Sequence, residues 1–161
     1  MVGKERFHTT QAIRTLKEHG VDFRLHPYKY AEKGGTEVAA RELQIDEHVT
    51  VKTLVMEDEK GHPFLVLMHG DKQVSTKALA RFLGVKAVRP CEPHVANRHT
   101  GYVVGGTSPF GTRRPLKVYV EASILDLPKV FINAGKKGLL AEMAPADVAR
   151  ILNPTPVQVA I

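Results

Sequence analysis

The sequence predicts an α/β fold of the mixed, α+β kind, built as a single domain over residues 1–161. Three observations predict it. Stretches of helical period alternate along the chain with strand-like runs. Some neighbouring strands are joined by a hairpin turn and others by a helix-length crossover, which requires a sheet with both antiparallel and parallel pairs. At 161 residues the chain has the length of one domain, and no internal repeat, low-complexity tract or linker divides it. A chain of this size buries about 70% of its unfolded surface, so it needs neither disulfides nor a structural metal to fold.

Each element has its own signal. Thr10 is placed to cap a first helix in which Ala12, Ile13 and Leu16 share a face and Gly20 is the stop. Val21, Phe23 and Leu25 then alternate as a half-buried strand ending at His26-Pro27. After Gly34-Gly35, Thr36 is placed to cap a short helix running to Leu43. Residues 49–57 and 64–68 are strand-like and flank a long turn, which reads as a hairpin. Ser75 opens a helix with Ala78, Leu79, Phe82 and Leu83 on one face and Gly84 at its end; Lys77 and Arg81 form a separate stripe. A short strand at 86–89, a helical stretch over 93–99 and a strand at 102–104 lead into a Gly/Pro loop at 105–111. Strands are expected near 117–121 and 129–132, then a helix from Pro145 to Leu152 and a last strand over 157–161.

Composition excludes several classes. With 43% hydrophobic and 25% charged residues the chain is not generally disordered. No apolar run approaches the roughly 18–20 residues of a membrane span, so no membrane partner is expected. Residues 1–6 lead into no apolar signal segment. The single Cys91 can form neither an internal disulfide nor a multi-thiolate metal site, and a cytoplasmic location is expected. The net charge of +6 is concentrated: residues 72–120 hold nine Lys and Arg against Glu92 alone, and the rest of the chain is close to balance. A polyanion such as a phosphate backbone is one explanation and a solvated basic face the other.

The densest unusual stretch is Thr100-Gly101-Tyr102-Val103-Val104-Gly105-Gly106-Thr107-Ser108-Pro109-Phe110-Gly111. It is not a P-loop, because Thr112 stands where the phosphate lysine belongs. It is not a nucleophile elbow, because Pro109 after Ser108 has no N–H to give an oxyanion. A cradle of backbone amides from Gly105, Gly106 and Thr107 for a carbonyl or phosphate oxygen is allowed, with a plain structural loop as the alternative. Lys52 interrupts an apolar strand-like run; it is either an edge gatekeeper against aggregation or a lysine reaching a ligand cleft. The eight histidines show no metal-ligand spacing, so no metal is expected. Cys91 reads as packing, and Gly135-Lys136-Lys137-Gly138 as a basic turn that is either solvated or holds a phosphate.

Taken in order, Val51-Lys52-Thr53-Leu54, the Ser75 to Gly84 helix, the 100–111 loop and Ala134-Gly135-Lys136-Lys137-Gly138 resemble the YbaK family over residues 10–152. With the related editing domain of bacterial prolyl-tRNA synthetase, that family hydrolyses misacylated tRNA(Pro), and its YbaK branch acts chiefly on Cys-tRNA(Pro). The resemblance implies a twisted, barrel-like mixed sheet surrounded by helices. It implies that Lys52 holds the terminal adenosine or phosphate of the acceptor end, with Tyr28 bordering the same pocket. Gly105 and Gly106 would offer amides to the ester carbonyl. Thr107, Pro109 and Gly111 of the loop and Asn133, Gly135 and Lys136 of the basic turn would complete the substrate-binding surface. Two positions depart from the family: Asn133 replaces a frequent serine, and Leu140 a residue that is polar in some relatives.

No Ser–His–Asp set, catalytic thiol or cofactor motif is present in the sequence, and the implied chemistry requires none. An aminoacyl ester is already activated, and in the Cys-specific branch the substrate's own thiol is the nucleophile. The implied partners are the acceptor end of aminoacyl-tRNA(Pro) and prolyl-tRNA synthetase, with the protein a monomer or a weak dimer. Two alternatives stand beside this reading: a deacylase for another misacylated tRNA such as Ala-tRNA(Pro), and a non-catalytic RNA- or protein-binding module on the same fold.

Overall fold

The computed structural model describes residues 9–161. Helix α1 (Gln11–Glu18) starts as its sequence requires, with the Thr10 hydroxyl accepting from the Ile13 amide and Ala12, Ile13 and Leu16 buried. Strand β1 (Arg24–Pro27) and helix α2 (Gly35–Leu43) follow. A 3-10 turn, Glu47–Val49, leads into β2 (Thr50–Asp58), which hairpins into β3 (Pro63–His69). Helix α3 (Thr76–Leu83) is capped by Ser75, which accepts from the Ala78 amide, and closed by Gly84. Then come β4 (Val88–Pro90), α4 (Pro93–Thr100), β5 (Val118–Glu121), β6 (Val130–Lys136), β7 (Leu139–Met143), α5 (Pro145–Leu152) and β8 (Thr155–Val157).

The strands form one mixed sheet in the order β1-β7-β6-β2-β3-β5-β8, with β4 also against β2. The hairpin β2–β3 is antiparallel, as are β1–β7, β6–β7 and β2–β4; the crossover pairs β2–β6, β3–β5 and β5–β8 are parallel. Residues 64–69 of β3 are buried without a break, as a central strand covered on both faces must be. Val51, Val55, Leu65, Leu67, Val120 and Ile132 face the larger core with α1. Met56, Phe64, Val66 and Met68 face the smaller one with Leu79 of α3. A third, small cluster joins Ala39 of α2 to Phe131 and Leu140, with Tyr28 against it.

Three expected elements differ. Residues 102–104 are not a strand. Gly101, at φ +82, ends α4, and the Gly106 amide donates to the Val103 carbonyl at 2.9 Å, so the chain turns instead of extending. Tyr102 is buried with its hydroxyl donating to the Phe110 carbonyl, whereas Val103 and Val104 are exposed. Helix α2 is capped by Gly34 and not by Thr36, whose hydroxyl is drawn away to Glu47 Oε2 at 2.8 Å and the Gly70 carbonyl at 3.1 Å. The last strand is shifted forward to Thr155–Val157; beyond it Ile161 and Gln73 exchange backbone hydrogen bonds, and Val159 accepts from the Ser75 amide.

Candidate active site

The glycine loop and the basic turn meet through one side chain. Asn133 sits at an irregularity in β6, where the pairing with β7 shifts between Asn133 and Lys136. Its Oδ1 accepts from the amides of Gly135 at 2.6 Å and Lys136 at 3.1 Å. Its Nδ2 donates to the carbonyls of Lys136 at 3.2 Å and Gly105 at 3.3 Å. Gly106 is buried against this turn so closely that a Cβ there would lie 2.9 Å from the Lys137 nitrogen. Gly105 is exposed, at φ +90, and a Cβ on it would overlap the Tyr30 hydroxyl. Tyr30 itself lies under the Lys137 ammonium, 5.2 Å from the ring centre, and Lys137 pairs with Glu32 at 3.3 Å.

Of the two amides expected to meet an ester carbonyl, only one is open. The Gly106 N–H is committed to the Val103 carbonyl, a local turn that the two glycines make possible. Among the described residues nothing accepts from the Gly105 or Thr107 amide, so these two are the available donors. The Thr107 hydroxyl also turns back to the Val103 carbonyl.

Lys52 approaches the same region from the neighbouring strand. The parallel register pairs Thr50 with Phe131 and Val51 with Ile132. Alternation therefore places Lys52 and Asn133 on one face of the sheet, one step past the last pair, where β2 and β6 part. The Lys52 side chain is half-buried and its ammonium donates to the Lys72 carbonyl. Burial pushes its pKa down, opposed by the carboxylates of Glu47 and Asp71. Thr53, the next residue, turns to the opposite face of the strand with Val51 and Val55, and its hydroxyl is buried without a hydrogen-bond partner among the described residues.

The other expected residues divide. Tyr28 packs on the Ala39, Phe131 and Leu140 cluster, its amide donating to the Gly138 carbonyl; burial and then Tyr30 push its phenol up. Gly135 seats against the Tyr102 ring and Thr10, and Lys136 is exposed. Pro109 and Gly111 do not line open surface. Pro109 is buried, and a Cβ on Gly111 would come within 2.7 Å of the Gln11 carbonyl, so Gly111 seats the loop on α1. Tyr30, two residues after Tyr28, was not singled out by the sequence.

Among the described residues the potential metal ligands that come close together are His48, His69 and Asp71. Each of the three already has a hydrogen-bond partner, and the two rings stack at 3.8 Å and 7°. His69 donates from Nδ1 to the His48 carbonyl at 2.8 Å, which leaves Nε2 to accept from Ser123 Oγ at 2.7 Å. His48 meets Asp71 at 2.9 Å. This cluster holds the turn that presents the Lys72 carbonyl to Lys52. Cys91 is half-buried, and burial, with the charge of Glu57 next, pushes its thiol up to about 11. Of the nine basic residues between 72 and 120, only Arg89 is in an ion pair among the described residues. Arg114 donates to Nδ1 of the buried His99 at 2.7 Å, and burial followed by the Arg114 charge pushes the His99 pKa down.

Residues 32–151 match the profile of the aminoacyl-tRNA editing domain. A protein of Enterococcus faecalis, EbsC, provisionally named a Cys-tRNA(Pro)/Cys-tRNA(Cys) deacylase, is 27% identical over 154 residues, 95% of this chain and 94% of its own. The crystal structure of hypothetical protein APE2540 superposes with a TM-score of 0.85 at 25% identity, over 94% of this chain and all of that one. A provisionally assigned trans-editing enzyme for prolyl-tRNA synthetase has the same fold, with a TM-score of 0.81 at 23% identity over 96% of this chain and 99% of its own.

Proposed function

The chain belongs to the aminoacyl-tRNA editing domain family, and from that premise we propose that it is a trans-editing hydrolase that deacylates mischarged Cys-tRNA(Pro). The observation that carries the reading is the open Gly105 amide, on a loop fixed to the turn at Asn133, with Lys52 on the adjoining strand. In this reading Lys52 exchanges its Lys72 carbonyl for a phosphate or ribose oxygen of the acceptor end. The Gly105 and Thr107 amides receive the ester carbonyl, whose oxygen gains charge as the bond is attacked. The substrate's thiol, giving up its proton, forms the S–C bond; the C–O bond to the ribose breaks, and the ribose oxygen takes a proton. Water then opens the cyclic thioester to free cysteine. Leu140, buried beside Asn133 across the β6–β7 ladder, supplies an apolar neighbour that suits a thiol or methyl side chain and not a carboxylate. The basic stretch from 72 to 120 is the surface for the tRNA backbone, and prolyl-tRNA synthetase a partner through the same substrate.

The test offers Cys-tRNA(Pro), Ala-tRNA(Pro), Ser-tRNA(Pro) and Cys-tRNA(Cys) side by side under single turnover. Cys-tRNA(Pro) is expected to be cleaved fastest, and Ser-tRNA(Pro) far more slowly, since a hydroxyl is a much weaker nucleophile than a thiolate near neutral pH. Faster cleavage of Ala-tRNA(Pro) would replace the substrate assignment. Equal cleavage of the Cys and Ser esters would replace self-attack by an activated water.

A further inference from the structure

The Gly105–Gly106 peptide group is held at both ends. Its carbonyl, on Gly105, accepts from Asn133 Nδ2, and its N–H, on Gly106, donates to the Val103 carbonyl. Two successive glycines place almost no steric barrier against rotating that peptide plane, because neither carries a Cβ to clash in the flipped form. A flip would move the Gly106 N–H off Val103 and turn the Gly105 carbonyl away from Asn133. The Gly105 N–H belongs to the preceding peptide plane and does not turn with this one; what the hold on the carbonyl fixes for that amide is the position of Gly105 itself. Among the described residues the only side-chain hydrogen bond to the Gly105 carbonyl comes from the Asn133 amide, reaching across from β6. The other three contacts of that amide are all within its own turn, to Gly135 and Lys136. With two acceptances and two donations the Asn133 side chain is saturated, so it has no group left for a ligand.

We propose that Asn133 is a positioning residue, not a substrate ligand: it locks the Gly105–Gly106 peptide and, by anchoring Gly105 through its carbonyl, holds in place the residue whose amide is open to the ester carbonyl. The catalytic half of this role rests on the deacylase reading above; the lock itself does not. An amide is required at 133 because the position must accept from two N–H groups and donate to two carbonyls at once. A serine hydroxyl has one proton to give, and a carboxylate has none.

Asn133→Asp separates the two halves of the clamp. The carboxylate keeps the acceptor that closes the turn and faces the Gly105 and Lys136 carbonyls with lone pairs. Asn133→Ala removes all four contacts without adding charge and serves as the neutral control. The first readout is amide hydrogen exchange on the protein alone. The Gly106 amide is expected to exchange about tenfold faster in both variants, while in Asn133→Asp the Gly135 and Lys136 amides stay protected. The second is single-turnover cleavage of Cys-tRNA(Pro). The rate is expected to fall about 100-fold with KM within about threefold, as for a misdirected transition-state donor. A merely structural role would instead lower the melting temperature and the active fraction together, leaving the folded fraction's rate unchanged. Unchanged Gly106 exchange in both variants overturns the lock, whatever the activity. Faster exchange with a wild-type cleavage rate overturns the positioning role. If the wild-type protein cleaves none of the esters, the deacylase reading fails, and the exchange result alone still decides the lock.

Discussion

The ammonium of Lys52 is hydrogen-bonded to the backbone carbonyl of Lys72, which lies just past the end of the strand that pairs with its own. That carbonyl is not free to wander. The turn bearing it is tied back by the Gly70 amide on the Thr50 carbonyl at 2.7 Å and by His48 on Asp71. In the absence of substrate the lysine therefore has a weak, replaceable partner near the protein surface, where a phosphate oxygen would be a much stronger one.

Lys52→Ala is expected to leave the fold intact and to remove most of the deacylase activity. The side chain is only half-buried, and the Lys72 carbonyl is near enough to solvent to be rehydrated, so the cost to stability is about 1 kcal/mol or less. Circular dichroism with single-turnover hydrolysis checks this. A folded variant with near wild-type activity would remove Lys52 from the site.

Cys91→Ser is expected to retain nearly full activity on Cys-tRNA(Pro). With its pKa pushed up to about 11, the thiol is almost wholly protonated at neutral pH. Wild-type protein should also react with iodoacetamide far more slowly than free cysteine does. A large loss of activity in the serine variant would reveal a protein nucleophile.

Binding of tRNA is expected to weaken steeply with salt, and neutralising Arg113 and Arg114 together should reduce the slope of log K against log salt by about one to two units. Replacing Lys17 and Arg24, both exposed and outside the basic stretch, should leave the slope nearly unchanged. Equal effects from the two pairs would make the central charge excess a solvated surface only.

Glu142 predicts an acid limit to stability. Its carboxylate is held below the usual range by the hydrogen bond from His26, at 2.7 Å, with Lys129 adding to it and burial opposing. A folded pKa below the unfolded one means the contribution is fully present above the unfolded value of about 4.3 and is lost as pH falls through the folded one. The melting temperature should drop on acidification through that window, and Glu142→Gln should flatten the drop. An identical pH profile in the variant would deny the linkage.

Much of the fold was legible because its signals are local. Thr10 and Ser75 cap the helices they should, since an N-cap needs only a hydroxyl and an amide three residues on. The β2–β3 hairpin follows from two apolar runs and a turn. Thr36 failed as a cap because its hydroxyl had a distant competitor, Glu47, that no local pattern reveals. Tyr102, Val103 and Val104 have strand-forming side chains, but the glycines on either side fold them into a turn. In the candidate site, Lys52, Tyr28 and Asn133 were singled out by resemblance, whereas Asn133's reach to the Gly105 carbonyl and the placing of Tyr30 on Gly105 arise only where residues far apart in sequence meet.

Strand β2 shares one of its edges between two partners, β6 at Thr50 and Val51 and β4 from Met56 to Asp58, while β3 fills the other. Its hairpin with β3 closes a short loop, but its contact with β6 joins Val51 to Ile132 and carries the entropy of closing a long one. Folding should therefore run from an early β2–β3 hairpin to a late docking of β6, with the slow, topology-limited step at the end. During synthesis Lys52 and the glycine loop emerge well before Asn133. A nascent or half-folded chain thus presents the lysine without the clamped loop, and cleavage competence should appear together with completion of the sheet.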